Sequence, residues 1–115
     1  MIANEMLEKT KLSYIRLDRE DLPEINPSLK PKEYKKGFRI FGKPGSKKVA
    51  LISHGKMVHN CLDIYKKNSS KFICVDLFRT KPFPKDLAKE IKKCRGIITI
   101  DEQSPGGNLA SCVFE

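Results

Sequence analysis

The sequence predicts an α/β fold built on a largely parallel sheet. Three observations carry that expectation: short, almost wholly apolar strands in the second half of the chain, helix-periodic segments between them, and polar Gly/Pro-bearing turns at the strand ends. Strands buried on both faces lose the in–out alternation of a half-exposed sheet, and parallel strands require crossover helices between them. VALIS-HGK, FICVDLF-RTKPFP and GIITI-DEQSPGG each follow this pattern. In such sheets, binding and assembly surfaces gather at the carboxyl ends of the strands.

Taken in order, Asn4–Lys11 has the character of a helix end and Ser13–Leu17 (SYIRL) alternates as a short strand would. Arg19–Lys36 is expected to be a connector, since Pro23, Pro27 and Pro31 interrupt both helix and central strand. Gly37–Phe41 (GFRIF) is a predicted strand closed by the turn GKPGS. Lys48–Ser53 is the first fully apolar strand. Met57–Lys67 follows as a helix, with Met57, Val58, Cys61, Leu62 and Tyr65 at helical spacing. Phe72–Phe78 is the next strand. Pro84–Cys94 is a helix that turns Leu87, Ala88, Ile91 and Cys94 inward and ends at Arg95-Gly96. Ile97–Ile100 is the last apolar strand, and Leu109–Phe114 begins another helix. The expected organisation is therefore residues 1–22 as the tail of an upstream domain, 23–36 as a linker and 37–115 as an α/β domain that stops before its sheet is complete.

Composition narrows the function classes. At 115 residues, 39% hydrophobic and 32% charged, the chain has the make-up of one soluble globular domain. No apolar run approaches the roughly 18–20 residues of a membrane span, and the N-terminus has no secretory apolar region, so a cytoplasmic protein without a membrane partner is expected. The net charge of +9 is spread along the chain, ten Lys/Arg against seven Asp/Glu in residues 1–46 and thirteen against seven in 47–115. No nucleic-acid-binding motif accompanies it, which favours a lysine-rich solvated surface over nucleic-acid binding. Cys61, Cys74, Cys94 and Cys112 lack metal-ligand or C-x-x-C spacing and are expected to be free thiols.

Three strand-end turns should place His54, Lys56, Arg79, Lys81, Glu102 and Gln103 near one another, beside Pro105-Gly106-Gly107. A pair of glycines before a helix can admit an anion to free N–H groups. A turn whose polar residues face water or a partner subunit is the favoured reading of the same residues, because no phosphate-loop signature selects the first. His54, Arg79, Glu102, Gly106 and Gly107 are thus a candidate strand-end site without an assigned ligand. His54 and His59 lie five apart, which does not place two metal ligands on one helical face, and no catalytic or metal-ligating set is visible. Arg16 and Arg19 flank Asp18 as SYIRL ends. An arginine there can grip a phosphate through two hydrogen bonds, or form a surface salt bridge.

The segments YIRLDREDLPEI (14–25), GKPGSKKVALISHGKMVHNCLDIYKK (42–67), VDLFRTKPFPKD (75–86) and GIITIDEQSPGGNLAS (96–111) together resemble the transketolase family of thiamine-diphosphate enzymes. The resemblance covers the end of the family's pyrimidine-binding domain and most of its C-terminal domain. It implies a three-layer α/β/α domain on a mixed, mostly parallel five-stranded sheet, with Gly37–Phe41 as the antiparallel strand and the last strand missing. It further implies a parent enzyme that moves a ketol unit between sugar phosphates with thiamine diphosphate and Mg²⁺, neither of them bound by this chain alone. The partner implied is the rest of the polypeptide or a separate N-terminal subunit, in a homodimeric parent. The family's substrate-phosphate arginine lies in an L-x-R-x-x-L pattern, which falls here on Leu17–Leu22 and points to Arg19, with Arg16 in support. RLDRE (16–20) is closer to transketolase than to deoxyxylulose-phosphate synthase or the 2-oxoacid dehydrogenase beta subunits, which are the alternatives within the resemblance. A stand-alone α/β binding module is the alternative outside catalysis.

Overall fold

A computed structural model describes residues 6–8, 11–25, 27–102 and 109–114. Four strands, β1 (Phe38–Phe41), β2 (Val49–Ser53), β3 (Phe72–Leu77) and β4 (Gly96–Ile100), form one sheet in the order β1-β3-β2-β4. β2 runs parallel to both β3 and β4, pairing Leu51 with Cys74 on one side and with Ile98 on the other. β1 is antiparallel to β3, with Phe38 opposite Leu77. The sheet is therefore mixed and mostly parallel, and its antiparallel strand is the one the resemblance implied.

Helices cover both faces. α1 (Met57–Lys67) packs Val58, Cys61 and Leu62 against Leu51 and Cys74, while Ile25, Phe41, Tyr65, Phe72 and Ile100 border that layer. On the opposite face α2 (Lys85–Ile91) and α3 (Leu109–Phe114) bring Leu87, Ile91 and Leu109 onto Ala50, Ile52, Ile73, Val75 and Leu77. Successive strand residues point to opposite faces, so a central strand needs apolar side chains at every position when both faces are covered. Val49–Ser53 and Phe72–Leu77 meet that need almost completely. The result is three layers around two apolar cores.

Two boundaries differ from expectation. The predicted strand Ser13–Leu17 is not one: residues 12–18 are exposed and adopt no regular structure. A strand needs a neighbour for its N–H and C=O groups, and no described strand of the chain pairs with this segment. The helix expected over Pro84–Cys94 is shorter, because Lys93 and Cys94 donate three residues back, to the Glu90 and Ile91 carbonyls, and tighten the last turn.

The proline-rich connector is anchored to the domain. Ile25 reaches the α1 face, and Pro31–Lys36 forms a short 3-10 helix whose Tyr34 ring lies 5.8 Å from that of Phe78. Gly37 ends this helix at φ 83°, and a Cβ there would come within 2.8 Å of the Arg79 guanidinium. Glycine relieves both the left-handed backbone and the close approach.

All four cysteines are free, with Cys61 and Cys74 buried in the α1 layer. A hydrogen bond with Cys61, reinforced by burial, pushes the Cys74 thiol far above its usual range, so Cys74 stays protonated and behaves as a packing residue. No described helix is long and apolar enough to cross a membrane.

Candidate functional site at the strand ends

β2 and β4 deliver their last residues to a common edge. Ser53, fully buried, donates its hydroxyl proton to the Ile100 carbonyl at 2.8 Å and ties the two strand ends together. The next residue of each strand then meets its counterpart, with His54 Nε2 3.5 Å from Asp101 Oδ2. Asp101 also accepts the Leu109 N–H at 3.1 Å, so one carboxylate orders the start of α3 and faces the imidazole. Asp101 opens the DEQSPGG turn that contributes to the family resemblance, but it was not among the residues expected at this site. Its position directly after the apolar run of β4, before a turn and helix, was the available signal.

Asp76 closes the β3 end beside Ser53, its register partner. Its side chain is only 13% exposed, and the Arg39 guanidinium stands 3.8 Å away. Burial raises the Asp76 carboxyl above its ordinary range, with Arg39, His54 and His59 opposing that shift. Arg39 is itself held by the Pro27 carbonyl and lies 4.7 Å over the Phe41 ring, which limits how closely it can follow the carboxylate.

This arrangement gives a pH dependence with a defined sign. A carboxyl whose pKa is higher folded than unfolded binds more protons in the native state between those two values. Its charging therefore removes stability as pH rises from near the ordinary ~3.9 through the folded value. Asp76→Asn should gain on the parent chain across that window. Denaturant titrations at acid and neutral pH measure the difference, and a flat difference would show that Asp76 is well solvated or fully compensated.

The residues proposed from sequence divide into separate groups. Arg79 turns away from His54: its guanidinium donates to the carbonyls of Lys35 at 2.9 Å and Lys36 at 3.1 Å, fastening the end of the 3-10 helix. Lys35, Lys36, Arg79, Pro84, Lys85 and Asp86 line a shallow cleft there. Glu102 is exposed and contributes, with Glu20 and Asp18, to the field that raises the Lys56 pKa; the hydrogen bond that the Lys56 ammonium donates to Glu20 is the leading cause. Gln103, Pro105, Gly106 and Gly107 lie outside the described residues. Lys81 is exposed in the turn after β3.

The upstream segment meets the same end of the sheet. Asp18 Oδ2 accepts the backbone N–H of Lys56 at 3.1 Å, and the Lys56 ammonium reaches Glu20 Oε1 at 3.1 Å. Gly55 makes room for this: its φ is 56°, and a Cβ would lie 2.5 Å from the Asp18 carboxylate. Arg16 and Arg19 are exposed on either side of Asp18. Neither forms a hydrogen bond or ion pair with another described residue. Among the described residues, no cluster of three or more His, Cys, Asp or Glu side chains could hold a metal ion.

These features define an α/β domain whose strand-end surface is ordered by polar contacts and joined to an upstream segment. The chain belongs to the transketolase C-terminal domain family, which matches residues 42–115. It is 33% identical over 107 residues to one of the subunits of the apulose-4-phosphate transketolase of Actinobacillus succinogenes, an alignment covering 89% of this chain and 33% of that protein. The chain thus spans about a third of the relative's length. No solved structure matches it.

Proposed function

We propose that this chain is the C-terminal part of a transketolase-type enzyme that transfers a two-carbon ketol unit between sugar phosphates. The observation that carries the reading is the family match over 42–115, supported by a relative named as one subunit of a sugar-phosphate transketolase. In this reading Arg19 grips the substrate phosphate, with Arg16 alongside, and the α/β domain supplies assembly surface. Two exposed guanidinium groups without competing described partners suit a dianionic phosphate, which arginine binds through paired N–H donors.

Thiamine diphosphate would supply the carbanion chemistry when bound elsewhere in the assembly. The described residues do not fit a diphosphate–Mg²⁺ site, since they offer no metal-ligand cluster. This chain's own contribution is to bind and orient the phosphorylated end of the substrate. The proposed partner is a separate subunit, or the remaining part of the polypeptide, carrying the cofactor site. The assembled enzyme is proposed to be a cytoplasmic homodimer of such units, acting in carbohydrate metabolism.

Reconstitution tests this reading. The chain alone should show no ketol transfer. Mixed with a cofactor-binding transketolase subunit, thiamine diphosphate, Mg²⁺ and a ketose-phosphate donor, it should restore transfer to an aldose-phosphate acceptor. Activity with pyruvate in place of the ketose phosphate would assign the chain instead to a deoxyxylulose-phosphate synthase or 2-oxoacid dehydrogenase. A chain that binds no such subunit would favour an independent binding module.

A further inference from the structure

α1 begins without a cap of its own. Lys56 occupies the N-cap position, no side chain there caps the helix, and the first turn has no acidic residue. The start of a helix leaves N–H groups unpaired and carries partial positive charge, so an oxygen acceptor there is stabilising. That acceptor comes from far upstream: Asp18 takes the Lys56 N–H, and two residues further Glu20 binds the same lysine's ammonium. Gly55 leaves the space that the Asp18 carboxylate fills. Arg19 is the residue between the two tethered carboxylates.

We infer that the Gly55-Lys56 turn is a latch that positions Arg19: by holding Asp18 and Glu20, it fixes the backbone that presents the arginine to the substrate phosphate. The inference deepens the proposed function and rests on it for the role of Arg19. Apart from these contacts to Lys56, residues 12–20 are an exposed strap with no regular structure. An arginine on a free strap would lose conformational freedom each time it bound phosphate, and the latch removes part of that cost beforehand. Asp18 and Lys56 are positioning residues here, acting on the substrate through Arg19.

The sign of one substitution separates positioning from simple electrostatics. Asp18 places negative charge beside the phosphate-binding arginine. Removing that charge should by Coulomb's law alone strengthen phosphate binding. If the latch governs, Asp18→Ala should weaken it. Asp18→Asn keeps an oxygen acceptor for the Lys56 N–H while removing the charge, so it should restore the parent KM or improve on it.

The experiment has two readouts. In the chain itself, hydrogen exchange at the Lys56 amide should quicken by ~fivefold in Asp18→Ala, the scale of one capping contact, and much less in Asp18→Asn. In the enzyme assembled with its cofactor-binding subunit, Asp18→Ala should raise the KM for a phosphorylated donor severalfold, leaving that for an unphosphorylated donor unchanged. Unchanged exchange at Lys56 would overturn the latch. So would a lowered or unchanged KM in Asp18→Ala while Arg19→Ala weakens phosphate binding, and in that case the proposed role of Arg19 would stand. If Arg19→Ala has no phosphate-specific effect, that role fails and the positioning inference falls with it.

Discussion

Replacing Arg19 with alanine is expected to raise the KM for phosphorylated donors about 10- to 100-fold in the assembled enzyme, with little change for unphosphorylated ones. One charge-assisted hydrogen-bonded contact contributes about 1.5–3 kcal/mol, and this range sets the expected ratio. The contact is to a part of the substrate distant from the reacting carbons. A loss confined to KM would mean that the arginine binds ground and transition states alike, whereas a fall in kcat as well would mean that phosphate binding also drives alignment. Arg19→Lys should recover only part of the loss, because an ammonium cannot reproduce the paired N–H geometry of guanidinium. Steady-state kinetics with a matched pair of ketose and ketose-phosphate donors measures all three effects. Equal losses for both donors would remove Arg19 from phosphate recognition. Arg16→Ala serves as the neighbouring comparison, since it is similarly exposed and separated from Arg19 by Leu17 and Asp18.

The residues that make the core were legible because their requirement is local. Val49–Ser53 and Phe72–Leu77 are apolar on both faces, and a strand covered on both sides tolerates little else. Met57–Lys67 shows its buried stripe at helical spacing and forms a helix over that same range. Ser13–Leu17 has equally suitable strand residues but no strand neighbour among the described residues, so alternation alone did not make it a strand. The strand-end cluster was harder to read because it depends on strand order. Placing β2 between β3 and β4 brings His54 against Asp101, while Gly37 and the 3-10 helix draw Arg79 the other way. The contact of Asp18 and Glu20 with Lys56 spans 38 and 36 residues of sequence, a pairing that no local pattern encodes.

Ile73→Ala is expected to destabilise the domain by about 2–5 kcal/mol, a large part of the roughly 5–15 kcal/mol available to a typical domain. Ile73 is fully buried on β3, pairs with Ala50 of β2, and packs in the layer that includes Leu87, Ile91 and Leu109. Gly42 approaches so closely that a Cβ there would lie 3.3 Å from the Ile73 side chain, which leaves little freedom to collapse around a truncated residue. Cavity cost adds to lost transfer free energy when a site cannot collapse, so the upper half of the range is expected. Ile98 provides the contrast. It lies on β4 at the sheet edge and is 48% exposed, so Ile98→Ala should change stability by no more than ~0.5 kcal/mol. Chemical denaturation of both variants at low protein concentration measures the difference. A comparable loss at Ile98 would mean that another chain covers β4 in solution, because only burial against a partner would give that side chain the energetic role of a core residue. Repeating the titration at higher concentration would distinguish the two: coverage by a second copy makes the midpoint rise with concentration, whereas a folded monomer leaves it fixed.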